Sequence, residues 1–325
     1  MDRAVTFERR TPDMTASATA QGGVARLRAA GAGPIIAYLA LCFIWGSTYL
    51  AIRFAVQSFP AHLMVGARSV LAGAVMVGVA LASGGRLPNR AGWLGATASG
   101  LLLVTCGQSF LAFAETRVFS GPAAVIGATQ ALIMPLAAWA IGAAAAPGRA
   151  TWFGLLTGFI GVAVLVNPGS HGLDPLGAAA VMGSVVTWSV GGAVAKRFPV
   201  DGVAMSAGLQ MLIGGAACLA IAAVNGEIAH FNPAAVTRAS WEGFFYLASF
   251  GSLGGFTAFA WLVQIWPPER LATYTYVNPI VALGLGALFA GEAIGVRDVF
   301  ATLVILGAVA VVMFGGKRSD RREPN

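Results

Sequence analysis

The chain has 325 residues, 57% of them hydrophobic and 10% charged, with 20 Lys and Arg against 13 Asp and Glu. A soluble domain is about 45–50% apolar and about 25% charged, so this sequence cannot cover a folded surface in water, and it is too apolar for a disordered chain. Its 43 glycines follow no three-residue period, which excludes a collagen and leaves a polytopic membrane protein.

Residues 1–33 mix Arg, Thr, Ala and Gly with Asp2, Glu8 and Asp13. No apolar stretch opens them, so a flexible cytoplasmic tail is expected and a cleaved signal peptide is not. Ten apolar segments follow, at about 35–56, 60–83, 92–114, 119–143, 150–167, 176–197, 203–226, 242–265, 271–291 and 297–315. A spanning helix needs about 20 apolar residues. Breakers fill the gaps: Pro60, Gly84-Gly85 with Pro88, Pro147-Gly148, Pro168-Gly169 with Pro175, Pro199, Pro233 and Pro267-Pro268. Residues 317–325, KRSDRREPN, form a short basic cytoplasmic tail. Ten helices leave roughly eight residues per connection, whereas twelve would leave almost none.

Charge sets the orientation. With the N-terminus in the cytoplasm and ten alternating helices, fifteen basic residues fall inside. Only Arg53, Arg117, Arg238 and Arg297 fall outside, and Arg68 lies within the second span. This positive-inside bias predicts an inner (plasma) membrane protein with both termini cytoplasmic and an even helix count. The basic excess therefore belongs to topology, and nucleic acid is not an expected partner. Cys42, Cys106 and Cys218 lie in apolar runs and read as small buried hydrophobes.

The chain also repeats. Trp45 and Arg53 recur as Trp188 and Lys196, Phe110-Leu-Ala-Phe113 as Phe256-Thr-Ala-Phe259, Pro135 as Pro279 and Gly161 as Gly307, at offsets of 143, 146, 144 and 146. Landmarks in order at nearly constant offset predict two five-helix halves, residues 34–168 and 169–316. An odd number of helices per half places the second half upside down relative to the first. The expected fold is therefore all-α, with ten transmembrane helices as two inverted repeats, an architecture of secondary transporters.

Leu41-Cys-Phe-Ile-Trp-Gly-Ser-Thr-Tyr-Leu-Ala-Ile-Arg-Phe54 resembles the opening helix of the EamA-type drug/metabolite transporters. Ala114-Glu115 with Ser120-Gly-Pro-Ala-Ala124 is similar to the helix 3 to helix 4 junction of the bacterial exporter branch. Leu271-Ala-Thr-Tyr-Thr-Tyr-Val-Asn-Pro279, with Gly291-Glu292, looks like the helix 9 signature. The resemblance covers about residues 34–316. It implies ten helices, cytoplasmic termini and export of small metabolites by alternating access. One departure stands out: the first-half stretch equivalent to Gly291-Glu292 reads Pro147-Gly148 and lacks the acid.

An ionisable group at the bilayer centre costs roughly 2.5–3.5 kcal/mol, so the few intramembrane polar residues carry information. Glu115 reads as a substrate-amine or proton site, against an interfacial pair with Arg117. Arg68 reads as a snorkelling or interhelical residue near the outer interface, with a substrate-carboxylate contact as the alternative. Glu292 reads as a helix cap, and Arg53 and Lys196 as interface anchors. Gln108, Gln130 and Gln210 can line a wet cavity or bond between helices. Trp45 and Trp188 lie too deep for an interfacial belt and can pack, stack on substrate or hold a cation. The candidate substrate-binding set is Trp45, Tyr49, Gln108, Glu115, Gln130, Trp188, Trp261, Tyr274, Tyr276 and Asn278. Pro135 and Pro279 are candidate hinges, each freeing a backbone carbonyl that Asn278 could satisfy beside Pro279. Gly154-x-x-x-Gly158 fits close helix contact.

No phosphate loop, H-E-x-x-H or Cys/His metal spacing is present, so no cofactor, metal or enzymatic role is expected. The sequence predicts a secondary exporter of small amino-acid-like or amphipathic, drug-like metabolites. Its partners are the substrate, the lipid bilayer and protons as a coupling ion, and it acts as a monomer or homodimer. A sugar-nucleotide carrier, a passive channel and a membrane-embedded enzyme are the alternatives.

Overall fold

The structure, a computed structural model, describes residues 32–118, 123, 126–166, 174–290 and 295–315. Among the described residues ten helical segments cross the molecule: α1 Gly33–Ala55, α2 Ala61–Ala82, α3 Arg90–Ala114, α4 Ile126–Ala140, α5 Arg149–Val166, α6 Pro175–Arg197, α7 Val203–Val224, α8 Arg238–Ile265, α9 Tyr274–Ala290 and α10 Val296–Gly315. Among the described residues no strand occurs. Helices α1, α2, α3, α6, α7 and α8 are each long and apolar enough to cross a bilayer; the other four are shorter in the described residues. The segments expected from the sequence match, with two differences. α8 starts at Arg238 because Thr237 caps it, accepting from Ser240 N at 3.2 Å. A short helix, Pro268–Ala272, precedes α9, because Pro267-Pro268 ends α8 and the chain restarts from there as a separate turn.

Local chemistry sets the other ends. Asn89 caps α3, accepting from Gly92 N at 2.9 Å, and Asp174 caps α6, accepting from Leu176 N and Gly177 N. α2 and α7 end alike. Gly84 and Gly226 have φ of 81° and 74°, and the next residues, Gly85 and Glu227, each donate N–H to Ala80 O and Ala222 O at 2.8 Å. This is the Schellman closure, which needs the left-handed conformation that glycine adopts without strain.

Packing shows the two-fold logic. α1 pairs with α8 and α9, and its counterpart α6 pairs with α3 and α4. The peripheral helices pair with their own counterparts, α2 with α7 and α5 with α10. Small residues allow these approaches. A Cβ on Gly73 would stand 2.7 Å from Leu212 N and 2.8 Å from Gly208 O. The Gly154–Gly158 pair behaves as its spacing predicts: Gly154 lies against Val312 and Ala308, and Gly158 against the Tyr276 ring. Large apolar side chains face outward instead, among them Phe43, Leu94, Phe153 and Ile160, as lipid-facing helices require.

One feature escapes the hydropathy pattern. α3 and α8 each widen into a π-helix, over Leu101–Gln108 and Leu247–Phe256. These stretches are repeat-related and flank the molecule's central cavity. π-segments often mark functional sites, because a wide turn re-aims side chains and leaves the backbone ladder looser.

Candidate functional site

A cavity with about 750 Å³ of empty space, its open part included, lies between the halves. Its walls come from α1, α2, α3, α4, α6, α8 and α9. It spans from the middle of α1 and α6, at Trp45 and Trp188, toward the end of the bundle opposite the start of α1, at Ile52, Leu111 and Val181.

An aromatic cluster forms its floor. Trp45 meets Trp188 edge-on at 5.3 Å between centroids, Phe259 at 5.3 Å and Tyr274 at 5.1 Å. Trp188 also contacts Phe259 and Phe256. Such aromatic pairs exceed their area burial by about 0.5–1.5 kcal/mol each. Below the cluster, toward the start of α1, polar contacts tie the helix ends together. Tyr38 and Thr273 share a 2.8 Å hydrogen bond, and Tyr38 packs on Trp266. Lys196 Nζ donates to Val263 O at 3.0 Å and Trp266 O at 2.9 Å, and Gln264 Nε2 to Ala195 O at 3.0 Å. Lys196, expected as an interface anchor, instead caps the carbonyl end of α8.

Of the sequence-predicted residues, the structure brings Trp45, Tyr49, Gln108, Gln130, Trp188, Tyr274 and Asn278 into the cavity lining. They are linked: Gln130 Nε2 donates to Tyr274 Oη at 2.6 Å. The Asn278 amide nitrogen, turned toward carbonyls, donates to Tyr274 O at 3.0 Å and across to Cys42 O at 3.3 Å. It therefore ties α9 to α1 beside Pro279. Pro135 is buried in mid-α4 and Pro279 sits in α9, both inside their helices.

Three predicted residues stand elsewhere. Trp261 lines a shallow outer groove with Ala37, Val203 and Thr257, because it falls on the face of α8 turned from the cavity. Tyr276 is fully buried, but its hydroxyl donates to Leu155 O and its ring packs against Gly158, on the far side of α9. Glu115 is buried at 8% exposure without lining the cavity, and neither carboxylate oxygen has a hydrogen-bond partner among the described residues. The alternative reading, an interfacial pair with Arg117, does not form among the described residues. Arg117 instead reaches Asp174 at 3.4 Å. Gln210 donates to Ser206 Oγ within α7, away from the cavity. Glu292 and the 120–122 stretch lie outside the described residues.

Of the readings offered for Arg68, the structure has the interhelical one, and in the cavity wall. It does not snorkel: it is 6% exposed and lines the cavity. Its Nη2 donates to Gln108 Oε1 at 2.5 Å and its Nη1 to Ser252 Oγ at 3.1 Å. The signal was present, since Arg68 is a charge eight residues inside a span. What the sequence lacked was the direction of the α2 face. Gly66 and Gly73 face α7, and that contact turns Arg68 toward the bundle interior.

Comparisons with known proteins agree with this architecture. The profile of the EamA-like transporter family matches twice, over residues 32–167 and 175–314. The chain belongs to the EamA-like transporter family. It is 32% identical over 283 residues to YedA, an inner membrane transporter of Escherichia coli K12, covering 86% of this chain and 90% of that protein. It is 25% identical to the transporter YvbV of Bacillus subtilis, covering 84% and 88%. It is 27% identical to protein PecM of Dickeya dadantii, covering 85% and 92%. A crystal structure superimposes with a TM-score of 0.73 at 19% identity, covering 89% of this chain and 99% of that chain, and shows the fold alone. As an EamA-family member the protein is a membrane transporter of ten helices, matched by the family profile in two successive stretches.

Proposed function

We propose that the protein is a secondary transporter of the inner membrane, with cytoplasmic termini, that exports small amino-acid-like or amphipathic metabolites by alternating access. One observation carries the reading. The cavity is built by both halves, and toward the start of α1 the Trp45–Trp188–Phe259–Tyr274 cluster and the Lys196 cap beneath it close it. With cytoplasmic termini, this closed end is the cytoplasmic one, as in the outward-facing state of an alternating-access cycle. The inward-facing state follows when the second half takes the arrangement of the first and the α3–α4 and α8–α9 pairs rock. Pro135, Pro279 and the two π-stretches give those helices places to bend.

We propose Glu115 as the proton site. A buried carboxylate without hydrogen bonds is costly to keep ionised, so its proton is sensitive to which conformation surrounds it. The test is uptake and release in proteoliposomes loaded with amino acids or cationic dyes, with and without an imposed pH gradient. Flux that follows the gradient and loses that dependence in Glu115→Gln supports proton coupling. Flux indifferent to pH returns Glu115 to a structural role, and no flux of any compound overturns the transporter reading.

A further inference from the structure

A guanidinium carries five N–H donors. Arg68 spends one on Gln108 and one on Ser252, and its buried Nε has no partner among the described residues. Gln108 and Ser252 are neutral, so they orient the guanidinium without compensating its charge. No described carboxylate lies within ion-pair distance of it: the described acid pairs are Glu227 with His62, Asp174 with Arg117, and Glu242 with Arg238. Glu115, the other buried charged side chain among the described residues, does not line the cavity. A guanidinium buried inside a membrane bundle, held in place and left without an anion, is costly unless an anion arrives.

The remainder of the described lining is neutral, and aromatic rings form one part of it. Trp45, Trp188, Phe256 and Tyr274 form flat walls facing the same space. Lys196, a second cation at the floor, is committed to Val263 O and Trp266 O. The cavity therefore holds one positive charge beside ring-sized apolar surface.

We infer that Arg68 is the specificity residue of the cavity and binds the carboxylate of a small monoanionic organic acid, whose apolar or aromatic body lies against Trp45 and Trp188. The carboxylate takes the guanidinium donors that Gln108 and Ser252 leave, in the planar geometry that suits arginine. A phosphate monoester, with nearly twice the charge, would leave one charge uncompensated at a single arginine. This inference rests on the proposal that the cavity is the transport site.

The test is calorimetric titration of the full chain in nanodiscs with 3-phenylpropanoate, 3-phenylpropanamide, 2-phenylethylamine and phenyl phosphate. The acid is expected to bind roughly tenfold to a hundredfold more tightly than the isosteric amide. Arg68→Gln is expected to erase that ratio, weakening the acid more than the amide. Arg68→Lys keeps the charge, guards against a folding defect, and is expected to keep a reduced preference for the acid. An amide that binds as well as the acid, an amine that binds best, or a phosphate preferred over the carboxylate each overturns the inference. The acid-to-amide ratio is read on unaltered protein, so a variant that fails to fold does not remove the test. Binding of the acid without flux in liposomes would overturn the transport proposal and leave the anion site standing. Flux of amines or neutral compounds without acid preference would do the reverse.

Discussion

Lys196→Met should open the closed end of the cavity. The ammonium donates to two carbonyls at the end of α8, Val263 O at 3.0 Å and Trp266 O at 2.9 Å. Both are terminal carbonyls without a partner further along the helix, because Pro267 and Pro268 end it and Pro residues have no N–H to offer. A hydrogen bond to a charged group nets about 1.5–3 kcal/mol. Lys196 is only half-buried, so water can replace part of this, and the pair together is worth about 2 kcal/mol, or roughly thirtyfold in the local opening equilibrium. Methionine keeps the apolar stem and removes only the donors. Hydrogen exchange read by mass spectrometry reports the change. Peptides covering residues 257–276 should exchange roughly thirtyfold faster, while α2 and α7, which are packed on each other elsewhere, should not change. Lys196→Arg should restore most of the protection. Exchange in 257–276 that stays within about twofold of the parent protein would refute the reasoning, since the cap would then not hold that end closed.

Three further outcomes follow from the packing and the caps. Gly73→Val should destabilise the α2–α7 pair by about 1–3 kcal/mol or more, because the added carbons meet backbone of α7, whereas Gly78→Val, with open space around its Cβ, should not; thermal midpoints in one detergent compare them. Tyr276→Phe removes the hydroxyl that bonds Leu155 O and should cost about 1 kcal/mol without altering cavity binding, as read by the same melt and by ligand titration. Asp174 is held below the ordinary carboxylate range by the Gly177 and Leu176 amides it caps and by Arg117. A depressed carboxyl stabilises the folded state above its unfolded pKa of about 3.9 and loses that contribution as pH falls through the folded value. Asp174→Ala should therefore lower the melting midpoint at pH 7, and the gap to the parent should begin to narrow below about pH 3.9 and close once the pH is below the depressed folded value; a gap that does not narrow in acid would refute the assignment.

Much of the architecture was legible because a bilayer imposes it on composition. Each helix must satisfy its own backbone in hydrocarbon, so its length and apolar content show in the residues themselves. The caps and breakers were equally local: Asn89, Asp174, Thr237 and the Gly84-Gly85 turn act within a few residues of where they stand. The repeat was legible because its landmarks, Trp45 with Trp188 and Pro135 with Pro279, keep their spacing along the chain.

The candidate site was legible in residue type and not in direction. Trp45, Trp188 and Tyr274 meet at the cavity floor, but Trp261, an equally good aromatic by sequence, faces outward. A membrane helix is apolar nearly all the way round, toward lipid and toward its neighbours alike, so the order of its residues does not report which face turns inward. Arg68 shows the same limit. Its charge marked it, but only the glycine contact of α2 with α7 turned it into the cavity, and only α3 and α8 brought Gln108 and Ser252 to its guanidinium. The π-turns left no mark in the hydropathy, because a wider turn changes backbone bonding and not composition. The sequence thus determined what crosses the membrane and how many times, since those are costs each segment meets alone. The tertiary structure decided which side chains share the cavity, because that depends on helix faces that only packing against a neighbour can orient.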